Sequence, residues 1–295
     1  EISACLVGSE MCIRDSHRIA TVVLVIVVLS FSTSALSNPK NSGMVPEQEH
    51  LEMLYPTVLV RVGKGSGSGT VIYSEQNEDR EYESFILTNW HVVKSYVKLS
   101  KVWDSDQQEH VDTETRRPVN IDLWEYNNFS TAVGTIGRIA HIKAYDKSRD
   151  LALLQISDTE REMPYVATLY PEDKDDGPWI FQTVYAVGAG LGKPPFPTMG
   201  LLAGYGNDQD GNSLYLASSP IVFGNSGGSL YAYSPRGQYE LIGVPSMVSA
   251  TGWTIVTHMA WCRPISEIRI FLRNSGYGFI LGDEPEVEEE AEDAG

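Results

Sequence analysis

Cysteine is almost absent from this chain: three among 295 residues, Cys5, Cys12 and Cys262. Two of them lie in residues 1–16, a stretch that resembles a translated sequencing-adaptor read-through and is set apart from the fold, so that the native chain is expected to begin near His17. A single remaining thiol excludes a disulfide framework, so the domain must rely on its apolar core. Cys262 itself is expected to behave as a small buried apolar residue. No second cysteine or histidine cluster offers metal-ligand spacing, and no cofactor is expected. Basic residues are also scarce, 22 against 39 acidic, for a net charge of −17, and no basic patch is present to hold nucleic acid. The acid is uneven. Eight acidic residues fall between positions 283 and 293 with no basic neighbour, so residues 281–295 read as a solvated, disordered tail.

A long apolar run is missing as well. His17 and Arg18 open a weakly basic start, residues 19–29 are apolar except Thr21, and the small residues Ser32, Thr33, Ser34, Ala35 and Ser37 follow. Residues 17–37 therefore read as a cleavable signal peptide. The alternative is an uncleaved membrane anchor, but the run falls short of the roughly 20 residues that cross a bilayer. Either reading exports the domain, to the periplasm or outside the cell, and cleavage would leave no stable membrane span. Residues 38–55 are polar with two prolines and read as a linker.

What is present is a succession of short strand-like runs between glycine- and proline-rich turns. Thr57-Val-Leu-Val-Arg-Val, Gly69-Thr-Val-Ile-Tyr73, Ser84-Phe-Ile-Leu-Thr88 and Leu151-Ala-Leu-Leu-Gln-Ile156 come first, and the pattern resumes from about Asp175. An all-β sandwich or barrel follows, not βαβ units. One helix is expected over residues 264–273, where Ile265, Ile268 and Leu272 recur at helical spacing, Pro264 suits the first turn and Gly276 the stop. Asp208-Gln-Asp-Gly-Asn212 superficially resembles a calcium loop, but its glycine and distal glutamate are misplaced; a hairpin turn at Asp210-Gly211 is expected instead.

Chemistry concentrates in Gly224-Asn225-Ser226-Gly227-Gly228. Flanking glycines let a serine occupy a tight turn that exposes its hydroxyl and turns N–H groups toward a developing oxyanion. Taken alone, the motif is equally a glycine-rich β-turn. Serine needs a base, and the base an orienting carboxylate. Among six histidines, His91 stands out at the end of Phe85-Ile-Leu-Thr-Asn-Trp-His91. Asp150 opens Asp150-Leu-Ala-Leu-Leu. Each alone is more often a structural histidine or a strand-capping aspartate than a catalytic residue.

Together the three segments resemble the signature segments of trypsin-like serine proteases, most closely the disulfide-free HtrA-type (Deg) and glutamyl-endopeptidase relatives. The order His, Asp, Ser at positions 91, 150 and 226, with spacings of 59 and 76, is that of this family and not of subtilisins or α/β-hydrolases. Gly65-Ser-Gly-Ser-Gly-Thr-Val-Ile72 and Leu241-Ile-Gly-Val244 extend the resemblance, which covers about residues 55–275. It implies two antiparallel β-barrels with a cleft between them and a C-terminal helix, in a domain spanning residues 56–280. It also implies roles: His91 as general base, Asp150 fixing its tautomer, Ser226 as nucleophile, and the amides of Gly224 and Ser226 as oxyanion hole. Asn225 stands where digestive relatives carry an aspartate, so activation through an ion pair to a freed N-terminus is not expected. With 69 residues after Ser226, mostly taken up by the last strands and helix, the PDZ domain that HtrA proteases usually carry is not expected.

The same alignment puts Pro220 at the base of the primary substrate pocket and Ser246, Met247 and Val248 along its wall. No acidic residue lies there, which disfavours a Lys or Arg preference and favours a small or medium apolar side chain. His258, near the far strand, either binds an acidic side chain as in glutamyl endopeptidases or packs structurally. The expected partners are protein or peptide substrates, and the oligomeric state stays open. Three activities remain distinct: a serine endopeptidase, a catalytically silent chaperone-like or peptide-binding module on the same scaffold, and an esterase or acyl transferase.

Overall fold

Two six-stranded antiparallel barrels account for most of the chain in a computed structural model that describes residues 47–104, 108–171, 177–251 and 254–284. The adaptor-like segment, the signal region, residues 38–46 and residues 285–295 lie outside the described residues. The first barrel uses β1 (Thr57–Val62), β2 (Gly65–Gln76) and β3 (Tyr82–Thr88), then β6 (Val119–Asn127), β7 (Thr131–Asp146) and β8 (Leu151–Ile156), closed in the order β1-β2-β3-β8-β7-β6. Between them β4 (Val97–Asp104) and β5 (Glu109–Arg116) form a separate hairpin. The second barrel takes β9 (Thr183–Gly188), β10 (Phe196–Asn207), β11 (Ser213–Ala217), β12 (Ser229–Tyr233), β13 (Tyr239–Thr251) and β14 (Thr254–Pro264), closed in the order β10-β11-β14-β13-β12-β9.

Strands β2, β3 and β8 are buried on both faces, which explains their nearly unbroken apolar runs. Val71, Ile86, Ala152 and Leu154 fill the first barrel. Their neighbours Ile72, Phe85, Leu87, Leu151 and Leu153 point the other way, into a core shared with the second barrel and the C-terminal helix. A one-residue slip would exchange the two cores, so packing pins the register.

The helix forms as expected, over Ile265–Asn274. Ile265, Ile268, Phe271 and Leu272 are buried in the shared core. At about 1.5–3 kcal/mol for each such side chain, this face anchors the helix. Gly276, at φ +79°, ends it: its N–H donates to Arg273 O at 3.0 Å and that of Tyr277 to Leu272 O at 2.8 Å. The stretch from Asp208 to Asn212 is a hairpin turn joining β10 to β11. The Asp208 carboxylate accepts the N–H groups of Asp210 and Asn212, both at 2.9 Å. Cys262 is fully buried, and burial pushes its thiol far above the ordinary range, so it packs rather than reacts.

Two expected boundaries move. Residues 47–54, assigned to the linker, form helical turns that belong to the domain. Met53 is buried in the shared core, Glu52 accepts the Tyr239 N–H at 2.8 Å, and Gln48 donates to Gly237 O at 2.8 Å. Met53 is the one buried apolar side chain of the segment, with Leu54 packed beside it, too short an apolar signal to stand out from the polar residues before it. At the other end, Gly278–Leu281 adds a further turn and Asp283 accepts two bonds from the Arg273 guanidinium, at 2.8 and 3.1 Å, so the ordered chain passes residue 280.

Candidate active site

β3 ends at Thr88, and Asn89 leads into the short helix Trp90–Val93 that carries His91. Trp90 stacks on Tyr145 of β7 at 4.1 Å between ring centroids, which fixes the helix on the barrel. Asp150 sits at the entry to β8 in a left-handed conformation, φ +53°. From there its carboxylate meets His91 twice: Oδ1 accepts the His91 N–H at 2.8 Å, and Oδ2 lies 2.8 Å from Nδ1. This pairing places the imidazole proton on Nδ1 and leaves Nε2 with its lone pair. Both side chains are part-exposed, 37% for His91 and 19% for Asp150.

The turn before Asp150 is braced from two sides. Asp146 Oδ1 accepts the N–H groups of Ser148 and Arg149, and the Arg149 guanidinium spans Asp146 at 2.9 Å and Glu267 of the C-terminal helix at 2.8 Å. Burial alone would raise the Asp146 carboxyl. The bonds from the Arg149 backbone, the Ser148 hydroxyl and the Arg149 side chain outweigh it and hold the group below its usual value. Asn212 and Arg263, both from the second barrel, donate to Ser148 O at 3.1 and 3.3 Å.

Ser226 lies in the loop between β11 and β12, half-buried. Asn225 organises this loop, its Oδ1 accepting Val222 N–H at 3.1 Å and its carbonyl accepting Gly228 N–H at 2.9 Å. Gly227 N–H donates to Pro245 O at 3.2 Å. Gly227 is obligatory: at φ +82°, a Cβ there would come 2.2 Å from Ser68 O and from Thr88 Oγ1. That contact also brings the serine loop against the strand end that leads to His91. Among the described residues, the N–H groups of Gly224 and Ser226 have no acceptor, whereas those of Asn225, Gly227 and Gly228 are all taken. No hydrogen bond joins Ser226 to His91 among the described residues.

The residues expected to line the substrate pocket lie on neighbouring segments of the second barrel: Val248 pairs with Ala260 across β13 and β14, and the segment after Pro220 meets β14 beside His258. Pro220 is exposed, with its carbonyl accepting Thr198 Oγ1 at 2.6 Å. Ser246 is buried, and its hydroxyl accepts Asn89 Nδ2 at 2.8 Å, so it supports the His91 segment; the same Asn89 amide donates to Asp150 O at 2.8 Å. Val248 borders, with Met247 and Asp150, an open cavity of about 570 Å³. His258 is exposed on β14, and the carbonyl of its neighbour Thr257 pairs with Ile221 N–H at 2.9 Å. Sequence reading missed Asn89, Arg149 and Glu267. Only Asn89 had a local signal, its place two residues before His91.

Two antiparallel barrels closed by a C-terminal helix make the chymotrypsin-like fold. The chain belongs to the trypsin-like peptidase family: the profile of the trypsin-like peptidase domain matches residues 67–244. Among solved structures it is similar to two of the "HtrA-type protease AlgW" with tripeptide, each at 18% identity and TM-score 0.56, covering 79% and 80% of this chain. It is also similar to the serine endoprotease from Yersinia pestis, at 18% identity and TM-score 0.51, covering 81% of this chain and 67% of that one. The chain spans 64% of the length of the AlgW structures. No curated protein matches it in sequence. No helix among the described residues is long and apolar enough to cross a membrane.

Proposed function

We propose that the chain is a serine endopeptidase acting on exported or unfolded polypeptides. His91 Nε2 takes the Ser226 proton as Oγ attacks the scissile carbonyl, and later gives that proton to the leaving amine. Asp150 keeps Nδ1 protonated and faces the imidazolium that forms. The observation that carries this reading is the pair of N–H groups at Gly224 and Ser226 that have no acceptor among the described residues, beside the hydroxyl and among the engaged N–H groups of Asn225, Gly227 and Gly228. Free donors at that position are what an oxyanion requires.

The absence of a Ser226–His91 bond favours one second reading, a silent peptide-binding module; hydrogen bonds of this kind also tighten only when substrate arrives. The two separate on incubation of the whole chain and of Ser226→Ala with a fluorophosphonate probe and with labelled unfolded casein. Ser226-dependent labelling and casein cleavage are expected. A folded wild-type chain that does neither is a silent module, and labelling without proteolysis assigns an esterase or acyl transferase.

A further inference from the structure

Ser68 belongs to none of the three signature segments, yet all of its polar groups bind residues around them. Its N–H donates to Ser226 O at 2.8 Å. Its carbonyl accepts Thr88 Oγ1 at 2.7 Å, three positions before His91. Its hydroxyl donates to Gly224 O at 2.6 Å and accepts the Ala189 N–H at 2.7 Å. The side chain is fully buried in β2.

The hydroxyl bonds matter because of where Gly224 stands. At φ +96° and without a side chain, its two flanking peptides are free to swing. The preceding peptide carries the Gly224 N–H and is held by its carbonyl, Phe223 O, which accepts Leu191 N–H at 2.7 Å. Because the peptide is trans, fixing that carbonyl turns the Gly224 N–H to the opposite side. The following peptide is held by Ser68 through Gly224 O. Ser68 also grips Ala189, at the start of the same segment that supplies Leu191. One hydroxyl therefore closes a ring of bonds from Ser68 to Gly224 and, through Ala189 and Leu191, back to Phe223.

We infer that Ser68 is a positioning residue for the reaction: its hydroxyl latches Gly224 so that the Gly224 N–H is already aimed at the oxyanion. This rests on the serine-peptidase reading. Without the latch, the peptide after Gly224 loses its anchor, the Phe223–Leu191 bond is left to orient the Gly224 N–H by itself, and the Ala189 N–H is left buried and unpaired. Loss of one oxyanion donor outright costs about 10²–10³ in kcat, and loosening it costs less.

The test measures Ser68→Ala and Ser68→Cys in the whole chain, the second keeping the buried volume with a poor hydrogen-bonding group. Labelled casein gives kcat and KM, and an apolar tripeptide aldehyde, which forms a tetrahedral oxyanion on Ser226, gives an inhibition constant. Melting curves check folding. The expected result is a kcat lower by about 10- to 100-fold with KM within about twofold, and aldehyde affinity weakened by a factor similar to that in kcat/KM. The acid limb of the pH–rate profile stays in place, because neither His91 nor Asp150 loses a partner. A folded variant with unchanged kcat, or one whose loss lies wholly in KM, overturns the role of Ser68. A wild-type chain inert to fluorophosphonate overturns the serine-peptidase reading and this inference with it, whereas equal labelling of wild type and Ser68→Ala overturns only the latch.

Discussion

Asp150 receives His91 at both carboxylate oxygens, the backbone N–H on Oδ1 and the ring Nδ1 on Oδ2, each at 2.8 Å. The first bond sets the helix turn and the second sets the tautomer, so one residue governs both position and proton. In Asp150→Asn the amide oxygen can still hold the backbone N–H, but the amide nitrogen then donates to Nδ1 and drives the proton to Nε2. The ring can no longer take the Ser226 proton. A fall in kcat of about 10⁴ is expected with the melting temperature nearly unchanged, measured by casein turnover beside a thermal scan.

Gly227→Ala is expected to damage fold and activity together. Its methyl would meet Ser68 O and Thr88 Oγ1 at 2.2 Å on a backbone already at φ +82°. The strain and displacement are expected to cost about 3 kcal/mol, read as a lower urea midpoint, and to abolish fluorophosphonate labelling. An alanine variant with wild-type stability contradicts the placement of this loop.

Arg263 is 4% exposed at its side chain and pairs with Asp208 at 2.6 Å, while two of its nitrogens, Nε and Nη1, have no partner. Burial opposes charge on Asp208, but bonds from Arg263 and Asn212 prevail and hold its carboxyl below the ordinary 3.8. A lowered folded value means that the stabilisation is fully present above the ordinary value and is lost as pH falls through the lowered one. Asp208→Asn strands the buried guanidinium and is expected to cost about 3 kcal/mol at pH 7. Urea midpoints of wild type and variant are expected to converge as pH drops below about 3.8; a constant gap refutes the ionic origin.

Met53→Ala tests whether the N-terminal turns are part of the domain. Met53 is 3% exposed against the shared core, so truncation is expected to cost roughly 2–5 kcal/mol and to speed proteolysis ahead of β1. A neutral effect would return residues 47–55 to the role of a linker.

Much of the fold was legible where strands are buried on one or both faces. β1, β3, β8 and β11 announce themselves by apolar runs, and the C-terminal helix by its spacing and its glycine stop. β4, β5 and much of β7 did not, because solvent covers both faces: β5 reads Glu-His-Val-Asp-Thr-Glu-Thr-Arg and buries no residue fully. Their pairing is held by backbone bonds that leave no trace in side-chain pattern. The three candidate site residues were legible because each sits in a local motif. Their supports were not: Ser68 meets Gly224 across 156 positions and Arg149 meets Glu267 across 118, contacts only the folded chain creates. Ser246 adds a contact the alignment did not suggest: its hydroxyl accepts a bond from Asn89, across 157 positions.

The sharing of braces between barrels has a consequence in time. A ribosome delivers His91 and Asp150 before residues 224–228 exist, and Arg263 and Glu267, which steady the turn at Asp150, come later still. Ser68 waits in β2 for a glycine loop made much later. No partial product of synthesis holds the whole arrangement, because its braces are complete only once β14 and the C-terminal helix have been made.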